Sequence, residues 1–277
     1  MKRLDRRQLL GGCATVGTVG LAGCVSQTLD AEETVNQAFG AEGISELVVR
    51  TTNGAIDVTA TETETISLEG RKRATSDSRL ADVEVVTERD GGTLRIEAET
   101  DESGLFSWLR NSPRADLSIT VPETLTRTDA QTTNGSIELN SLDGESTART
   151  TNGSIRMDAL GGDITARTTN GSIELTDGSP SIISAETTNG RLSLSVLTEP
   201  DIEAKTTNGN VSLTLPSSVE PHLTFDTSNG RISIDGIGPM EVSGRGSYEA
   251  RVGAATSRIR VSTTNGNLTV EGRSQDG

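Results

Sequence analysis

The chain reads, from residue 132 to residue 149, Thr-Thr-Asn-Gly-Ser-Ile-Glu-Leu-Asn-Ser-Leu-Asp-Gly-Glu-Ser-Thr-Ala-Arg, and the opening phrase of this stretch recurs along the sequence. Thr-Thr-Asn-Gly begins at Thr51, Thr132, Thr150, Thr168, Thr187, Thr206 and Thr263, and the variant Thr-Ser-Asn-Gly begins at Thr227. From 132 to 227 the steps are 18, 18, 19, 19 and 21 residues. A period of about 20 residues is typical of a solenoid, in which each repeat forms one coil and neighbouring coils share a core.

One repeat contains two short strands joined by turns. Ile137 and Leu139 alternate with polar residues after the Asn-Gly pair, which predicts a strand with one buried face. Asp143-Gly144 is a second turn signal, and Ser146 and Ala148 begin a second alternation. The sequence therefore predicts an all-β fold, a parallel β-solenoid of about 18–21 residues per coil, with right-handed winding as the default for parallel connections.

The repeat also predicts ladders of equivalent residues. Continuing the strand alternation into the phrase places its first threonine and its asparagine on the inward side. Glycine suits this corner because it accepts positive φ angles freely, and asparagine tolerates them. The side-chain amides would then bond to one another in chain order, as a ladder of Asn134, Asn152, Asn170, Asn189, Asn208 and Asn229. On the outer face, Glu138, Arg156 and Glu174 would alternate in charge down the stack.

The repeat divides the chain into segments of different regularity. Residues 132–271 are predicted to form the regular solenoid, interrupted by an irregular segment at 236–258. Residues 38–131 carry one phrase and several strand-like alternations, so we expect irregular β coils there. Both irregular segments would cap the stack and block its open edges. Residues 272–277 would form a tail.

The first residues indicate export. Arg6 and Arg7 precede a short apolar stretch, the pattern of a twin-arginine signal peptide over residues 1–23. The four residues that end in Cys24 resemble the lipobox of exported lipoproteins, in which the cysteine carries lipid. We therefore predict lipidation of Cys24, attachment to the outer face of the cytoplasmic membrane, and a polar tether at 24–37.

The composition is strongly acidic. The chain has 40 Asp and Glu against 25 Lys and Arg, a net charge of -15, and its lysines are Lys2, Lys72 and Lys205. Scarce lysine and abundant threonine resemble the proteins of extreme halophiles, whose hydrated carboxylates keep them dispersed at high salt. Nucleic acid is a poor candidate partner, because the sequence contains no basic cluster to displace counterions.

The unit Thr/Ser-Asn-Gly-x-Ile-x-Leu, repeated behind an exported N-terminus, resembles the putative adhesin family of bacteria and archaea, a domain-of-unknown-function family. The resemblance covers about residues 44–271 and is loosest over 55–131. It implies a repeat-built β protein at the cell surface. It supplies no catalytic residues to carry over.

Few residues suggest chemistry. His222 is the only histidine and has no cysteine or second histidine beside it, so we expect a structural or solvent-facing role. Calcium would need clustered turn carboxylates, and the candidates for such a cluster are Asp143, Asp163, Asp177 and Asp235. The repeat motif of calcium β-rolls is absent, which favours solvated turn acids. We therefore expect no cofactor, no bound metal and no catalytic residue.

Two further sets of residues are candidate surface features. The most hydrophobic irregular segment contains Leu105, Phe106, Trp108 and Leu109, which would either plug the end of the core or form an interaction tip. Five Asn-x-Ser/Thr sequons occur. Three of them use ladder asparagines that we expect to be buried, so Asn210 and Asn267 are the candidate sites if the chain is glycosylated.

These observations favour a non-enzymatic, lipid-anchored surface solenoid that binds surface polymers or envelope proteins through many shallow contacts. Two alternatives remain open. A carbohydrate-active enzyme on a β-helix would need two carboxyl groups at a defined separation. A structural envelope spacer would have no specific ligand. The sequence does not determine the oligomeric state.

Overall fold

The structure, a computed structural model, describes residues 31–100, 113–238 and 240–273. Most of this part of the chain is β-strand, and its helix has four residues. The strands are β1 (Ala31–Gly40), β2 (Glu46–Asn53), β3 (Ile56–Thr61), β4 (Thr65–Ala74), β5 (Val83–Asp90), β6 (Thr93–Thr100), β7 (Arg114–Pro122), β8 (Arg127–Asn134), β9 (Ile137–Asn140), β10 (Glu145–Arg149), β11 (Ile155–Asp158), β12 (Asp163–Asn170), β13 (Ile173–Gly178), β14 (Ile182–Asn189), β15 (Leu192–Val196), β16 (Asp201–Asn208), β17 (Val211–Pro216), β18 (Pro221–Ile237), β19 (Met240–Arg251), β20 (Ser257–Asn265) and β21 (Leu268–Arg273), and the helix is α1 (Asp77–Leu80). Among these residues no helix has the length and apolar character that crossing a bilayer requires.

Several residues singled out from the sequence lie outside the described residues. They are Arg6, Arg7 and Cys24 of the predicted export signal, Leu105, Phe106, Trp108 and Leu109 of the predicted cap or tip, and residues 274–277 of the predicted tail. Their roles stay predictions.

Each repeat forms one rung of a two-sided stack. An entry strand leads into the Thr-Thr-Asn-Gly corner and an exit strand leaves it, as β14 and β15 do on either side of Gly190. Entry strands pair with entry strands and exit strands with exit strands, in parallel and in register. Ala185, for example, pairs with Ala166 on one side and Ala204 on the other. The architecture is therefore all-β and β-solenoid-like.

The core lies between the row of entry strands and the row of exit strands. In one rung, Ile183 and Ala185 of β14 face Leu192 and Leu194 of β15, and all four side chains are buried. Burying an isoleucine or leucine contributes about 1.5–3 kcal/mol. The equivalent apolar positions are buried in the other rungs, which confirms the inward positions predicted from the alternation.

At the C-terminal end, the rungs do not stack in chain order. β20 lies between β16 and β18, and β21 lies between β17 and the second half of β18. The rung of residues 257–273 is thus inserted between the rungs of residues 201–216 and 221–237. The sequence prediction, in which the coil of Asn229 directly follows the coil of Asn208, is wrong here. The two candidate rungs carry nearly the same phrase, so the local pattern does not distinguish them.

The N-terminal end is interleaved in the same way. β2 and β3 pair with β8 and β9 on one side and with β6 and β7 on the other. The rung of residues 46–61 is therefore an inner one, and β6 and β7 lie outside it although they follow it in the chain. Residues 38–131, expected to be irregular, contain regular parallel rungs at this position.

Antiparallel strands close both ends of the stack. β19 pairs with β18 at one end, so much of the segment 236–258 is a hairpin strand. At the other end β5 pairs with β6, β4 with β7, and β1 with β4. Residues 31–37, which the sequence assigned to the tether, belong to β1. Their polar composition reflects a strand with one exposed face, while Phe39 in the same strand packs against the core.

Lys72 joins the two rows at the N-terminal end. Its side chain is buried, its Nζ donates to the carbonyl oxygen of Val83 at the start of β5 (3.3 Å), and it pairs with Glu33 of β1 (2.7 Å). One ammonium group carried by β4 therefore contacts two further strands. This contact holds β1 and β5, the last strands of the two rows, against β4.

Candidate functional site

The first threonine of each phrase is buried, and each one except Thr51, whose hydroxyl donates to Asn53 in its own corner, bonds to the neighbouring rung. Thr187 Oγ1, for example, donates to the carbonyl oxygen of Gly171 at 3.0 Å. The same contact is made, at 2.9–3.1 Å, by Thr132, Thr150, Thr168, Thr206, Thr227 and Thr263. The inward threonine position predicted from the alternation is confirmed. Its hydroxyl satisfies a carbonyl group at the corner of the next rung.

The glycine of the phrase is required by close approach of neighbouring rungs. A Cβ atom on Gly190 would lie 1.8 Å from the carbonyl oxygen of Gly171, and one on Gly153 would lie 1.9 Å from that of Gly135. Neither Gly153 nor Gly190 has a positive φ angle. The sequence argument from positive φ is therefore wrong at these corners, and the steric contact explains the glycine.

The asparagines of the phrase form a hydrogen-bonded column on the outside of the corner. Each Nδ2 donates to the Oδ1 of the adjacent rung at 2.7–2.9 Å, in the order Asn53, Asn134, Asn152, Asn170, Asn189, Asn208, Asn265 and Asn229. The predicted burial of these side chains is wrong, because Asn134 to Asn229 are exposed. The strand alternation ends at the first threonine of the phrase. The next two residues, the second threonine and the asparagine, both face outward at the turn.

The predicted ladder of opposite charges is present on the exit strands. Arg156 lies 3.4 Å from Glu138 on one side and 3.4 Å from Glu174 on the other. All three side chains are well exposed. Such pairs contribute little to stability, about 0–1 kcal/mol each. The ladder therefore shows that the rungs are stacked in register, but it adds little to the free energy of unfolding.

The residues considered for catalysis or metal binding are dispersed. His222 Nε2 lies 2.8 Å from Glu249 on the adjacent β19. Asp177 pairs with Arg273 at 3.2 Å. Over the described residues, no group of three or more His, Cys, Asp or Glu side chains is placed to hold a metal ion. The turn acids Asp143 and Asp235, with the other two calcium candidates, form no such group.

Glu199 explains how the inserted rung is held. Its Oε1 accepts hydrogen bonds from the backbone N–H of Glu220 (3.1 Å), the hydroxyl of Thr256 (2.7 Å) and the hydroxyl of Ser257 (3.0 Å). Glu220 directly precedes β18, and Thr256 and Ser257 lie where the chain enters β20 after β19. The carboxylate therefore fixes the position at which the chain re-enters the stack.

Two shallow grooves lie on the outer face of the entry strands near the N-terminal end. The larger, about 470 Å³, is lined in part by Arg50, Glu97 and Glu99. The smaller, about 210 Å³, is lined in part by Glu88 and Arg95. Both mix acidic and basic groups.

A different surface stands out by its charge. Four segments, 187–196, 206–214, 263–270 and 227–234, form consecutive corners and exit strands in the order given. They contain no Asp or Glu, although about one residue in seven of the whole chain is acidic, and their only charged residues are Arg191 and Arg231. We call the outward surface of these segments the donor face.

The residue after each corner glycine forms a column across the donor face, in the order Arg191, Asn210, Asn267 and Arg231. Asn210 Oδ1 accepts the backbone N–H of Asn267 (2.9 Å), and Asn267 Oδ1 accepts that of Arg231 (3.0 Å). Within the described residues, neither Nδ2 atom has a hydrogen-bond partner and neither arginine has an ion-pair partner. All four residues are exposed.

The exit strands add a second column to the donor face, Ser193, Ser212, Thr269 and Ser233. These side chains are half-buried, and their hydroxyls make no hydrogen bond to any described residue. Sequence reasoning singled out Asn210 and Asn267 as glycosylation sites, but it missed Arg191 and Arg231. The rung order sets the separation of the two arginines, with Asn210 and Asn267 between them.

Comparison with known proteins finds one family model. Residues 162–271 match the family described as Toastrack DUF4097, the part of the chain that contains the donor face. No curated protein matches the chain.

Among solved structures, a putative adhesin from Bacteroides fragilis is similar at 14% identity, covering 86% of this chain and 97% of the other, with a TM-score of 0.46. A putative adhesin from Parabacteroides merdae is similar at 10% identity, covering 86% and 96%, with a TM-score of 0.40. A putative cell adhesion protein from Clostridium sporogenes is similar at 14% identity, covering 88% and 100%, with a TM-score of 0.34. With TM-scores below 0.5, these likenesses decide nothing about the function of this chain.

Proposed function

We propose that the chain is a non-enzymatic, adhesin-like module that binds surface polymers or envelope proteins through the donor face. The observation that carries this proposal is the regular array of hydroxyl, amide and guanidinium groups that have no partner in the described residues. Neighbouring rungs are about 4.8 Å apart, so the array offers a repeating set of hydrogen-bond groups to an extended partner. The affinity resides in many shallow contacts.

The chain works outside the cell in this proposal. The twin-arginine pattern at Arg6 and Arg7 directs export, Cys24 carries the lipid, and the acidic composition suits high salt. The stack winds in the right-handed sense that parallel connections favour. The resemblance of the repeat unit to the putative adhesin family supports the surface location.

The anchor is tested by a Cys24→Ala variant expressed from the full chain in its natural host. We expect this variant in the soluble extracytoplasmic fraction, while the matched Cys13→Ala variant stays with the membrane, because Cys13 leaves with the signal peptide. Retention of the Cys24→Ala protein in the membrane would rule out lipidation at this residue.

The binding role is tested by recovering partners from envelope extract on the immobilised protein at high salt. A Ser212→Glu variant places a charge in the centre of the donor face, and a Ser118→Glu variant places the same charge on the exposed face of β7. We expect a polymer or protein that is recovered by the wild-type and Ser118→Glu chains and lost with Ser212→Glu. Recovery of nothing by the wild-type chain would indicate a structural spacer.

A further inference from the structure

We propose that the ligand of the donor face is an acidic polysaccharide, whose negative groups are bound by Arg191 and Arg231. This inference rests on the proposed function and names the ligand class of the same surface. Arg191 and Arg231 lie in the same column of the donor face, and the rungs of residues 201–216 and 257–273 stand between their own two rungs.

Charge is the first reason. The chain carries 40 acidic residues and a net charge of -15, so most of its surface repels an anionic polymer. The donor face has two arginines and no carboxylate. At high salt the long-range repulsion is screened over a few ångströms. Contacts at short range then decide where an anion binds, and the four segments of the donor face contain no competing carboxylate.

The spacing of the donors is the second reason. Arg191 and Arg231 lie three rungs apart, about 14 Å at about 4.8 Å per rung. Asn210 and Asn267 fill the two rungs between them, and each presents an Nδ2 group that no described residue accepts from. A guanidinium group binds a carboxylate through two parallel hydrogen bonds. The column therefore matches an extended chain that carries a negative group at intervals and neutral acceptors between them.

The neighbouring hydroxyls favour a sugar polymer over other polyanions. Ser193, Ser212, Thr269 and Ser233 run beside the column, and a hydroxyl group both donates to and accepts from sugar hydroxyls. The four segments contain no aromatic residue on which a nucleic-acid base would stack. Two arginines also neutralise too few phosphates to hold a nucleic acid. A protein partner would need an apolar anchor at the centre of the surface, and the outward positions of the donor face are polar.

The test compares polymers of similar size that differ in charge. The full chain is purified from a host that does not glycosylate it. Its binding to immobilised polygalacturonate, dextran sulfate, neutral dextran and double-stranded DNA is measured at high salt. The test variant is Arg191→Gln/Arg231→Gln. The control is Arg258→Gln/Arg260→Gln, which removes the same charge from exposed residues of β20, on the outer face of the entry strands.

We expect the wild-type chain to bind polygalacturonate or dextran sulfate, with no binding to neutral dextran or DNA. The two acidic polymers distinguish carboxylate from sulfate as the bound group. The test variant should bind at least tenfold more weakly, while the control variant stays within about twofold of wild type and all three proteins melt at similar temperatures.

Equal losses in the two variants, equal binding of neutral dextran, or binding of DNA would each overturn the inference. If the wild-type chain binds neither acidic polymer but still recovers another partner from envelope extract through the donor face, the ligand class is wrong and the proposed function stands. If it binds no polymer and recovers nothing, the proposed function fails as well.

Discussion

Thr168 donates its hydroxyl to the carbonyl oxygen of Gly153 at 2.9 Å, while a Cβ atom on Gly153 would lie 1.9 Å from the carbonyl oxygen of Gly135. The threonine and the glycine of the phrase therefore act together. The missing side chain lets two rungs approach, and the threonine hydroxyl satisfies the carbonyl group that the approach brings to the inner side of the corner. This pair explains the recurrence of two of the four residues in Thr-Thr-Asn-Gly.

A Gly153→Ala substitution should destabilise the fold by at least about 2 kcal/mol, because the added methyl group meets rigid backbone that must shift. The matched control is Gly40→Ala, since a Cβ atom there meets nothing within 4 Å. Urea unfolding followed by circular dichroism measures both changes. Equal stability of the two variants would show that the corners do not approach as described.

A Thr168→Val substitution should cost about 1–3 kcal/mol, because it leaves the carbonyl group of Gly153 without its hydrogen bond in a buried position. The neighbouring Thr169 faces solvent, so Thr169→Val should change the free energy of unfolding by less than about 0.5 kcal/mol. Thermal and urea unfolding compare the two isosteric changes. A larger loss at Thr169 would reverse the assigned inside and outside of the corner.

An Asn170→Ala substitution interrupts the asparagine column, since Asn170 donates to Asn152 and accepts from Asn189. Each exposed amide bond contributes about 0.5–1.5 kcal/mol at most, so we expect a loss of about 1–2 kcal/mol. Asn36→Ala, on the exposed face of β1, is the control and should be nearly neutral. A neutral result at Asn170 would mean that the column records register without stabilising it.

If the native protein carries sugar on a sequon, we expect it at Asn210 or Asn267, where it would cover the donor face, and not at Asn134, Asn152 or Asn170. The reason differs from the burial expected from the sequence. The Nδ2 atom of each ladder asparagine already donates to the next rung, whereas those of Asn210 and Asn267 have no partner among the described residues. Mass spectrometry of peptides from native protein locates any glycan. A glycan on Asn152 would contradict the column.

For the regular repeats, the sequence was sufficient to predict the strands and the core. The spacing of the phrases gives the period, and the alternation of residues such as Ile183 and Leu192 gives the buried face, because both depend on local patterns of side chains. The exposure of the asparagines was missed because the alternation stops at the turn. The residues around Asn189 contain no signal that shows at which of them the strand geometry ends.

The rung order required the structure. Asn229 and Asn265 sit in nearly identical phrases, so no local signal decides which of them follows Asn208. The observed order brings together residues far apart in the chain, such as Glu199 with Thr256 and Ser257. The separation of Arg191 and Arg231, three rungs and not two, depends on that choice.

The central claim, a parallel in-register stack with residues 257–273 inserted, is tested most directly by disulfide formation between exposed corner positions. Thr207 and Thr264 occupy adjacent rungs, since Thr206 pairs with Thr263 and Asn208 with Asn265. A separation of about 4.8 Å suits a disulfide, whereas two rungs, about 9.6 Å, do not. The cysteine pairs are introduced into a chain that begins at residue 24 and carries Cys24→Ser.

Mild oxidation followed by mass spectrometry gives the result. The account predicts a rapid, quantitative disulfide in Thr207→Cys/Thr264→Cys and none in Thr207→Cys/Ser228→Cys. A disulfide in the second pair and not in the first would place the rungs in chain order, and both the inserted rung and the three-rung separation of Arg191 and Arg231 would then be wrong.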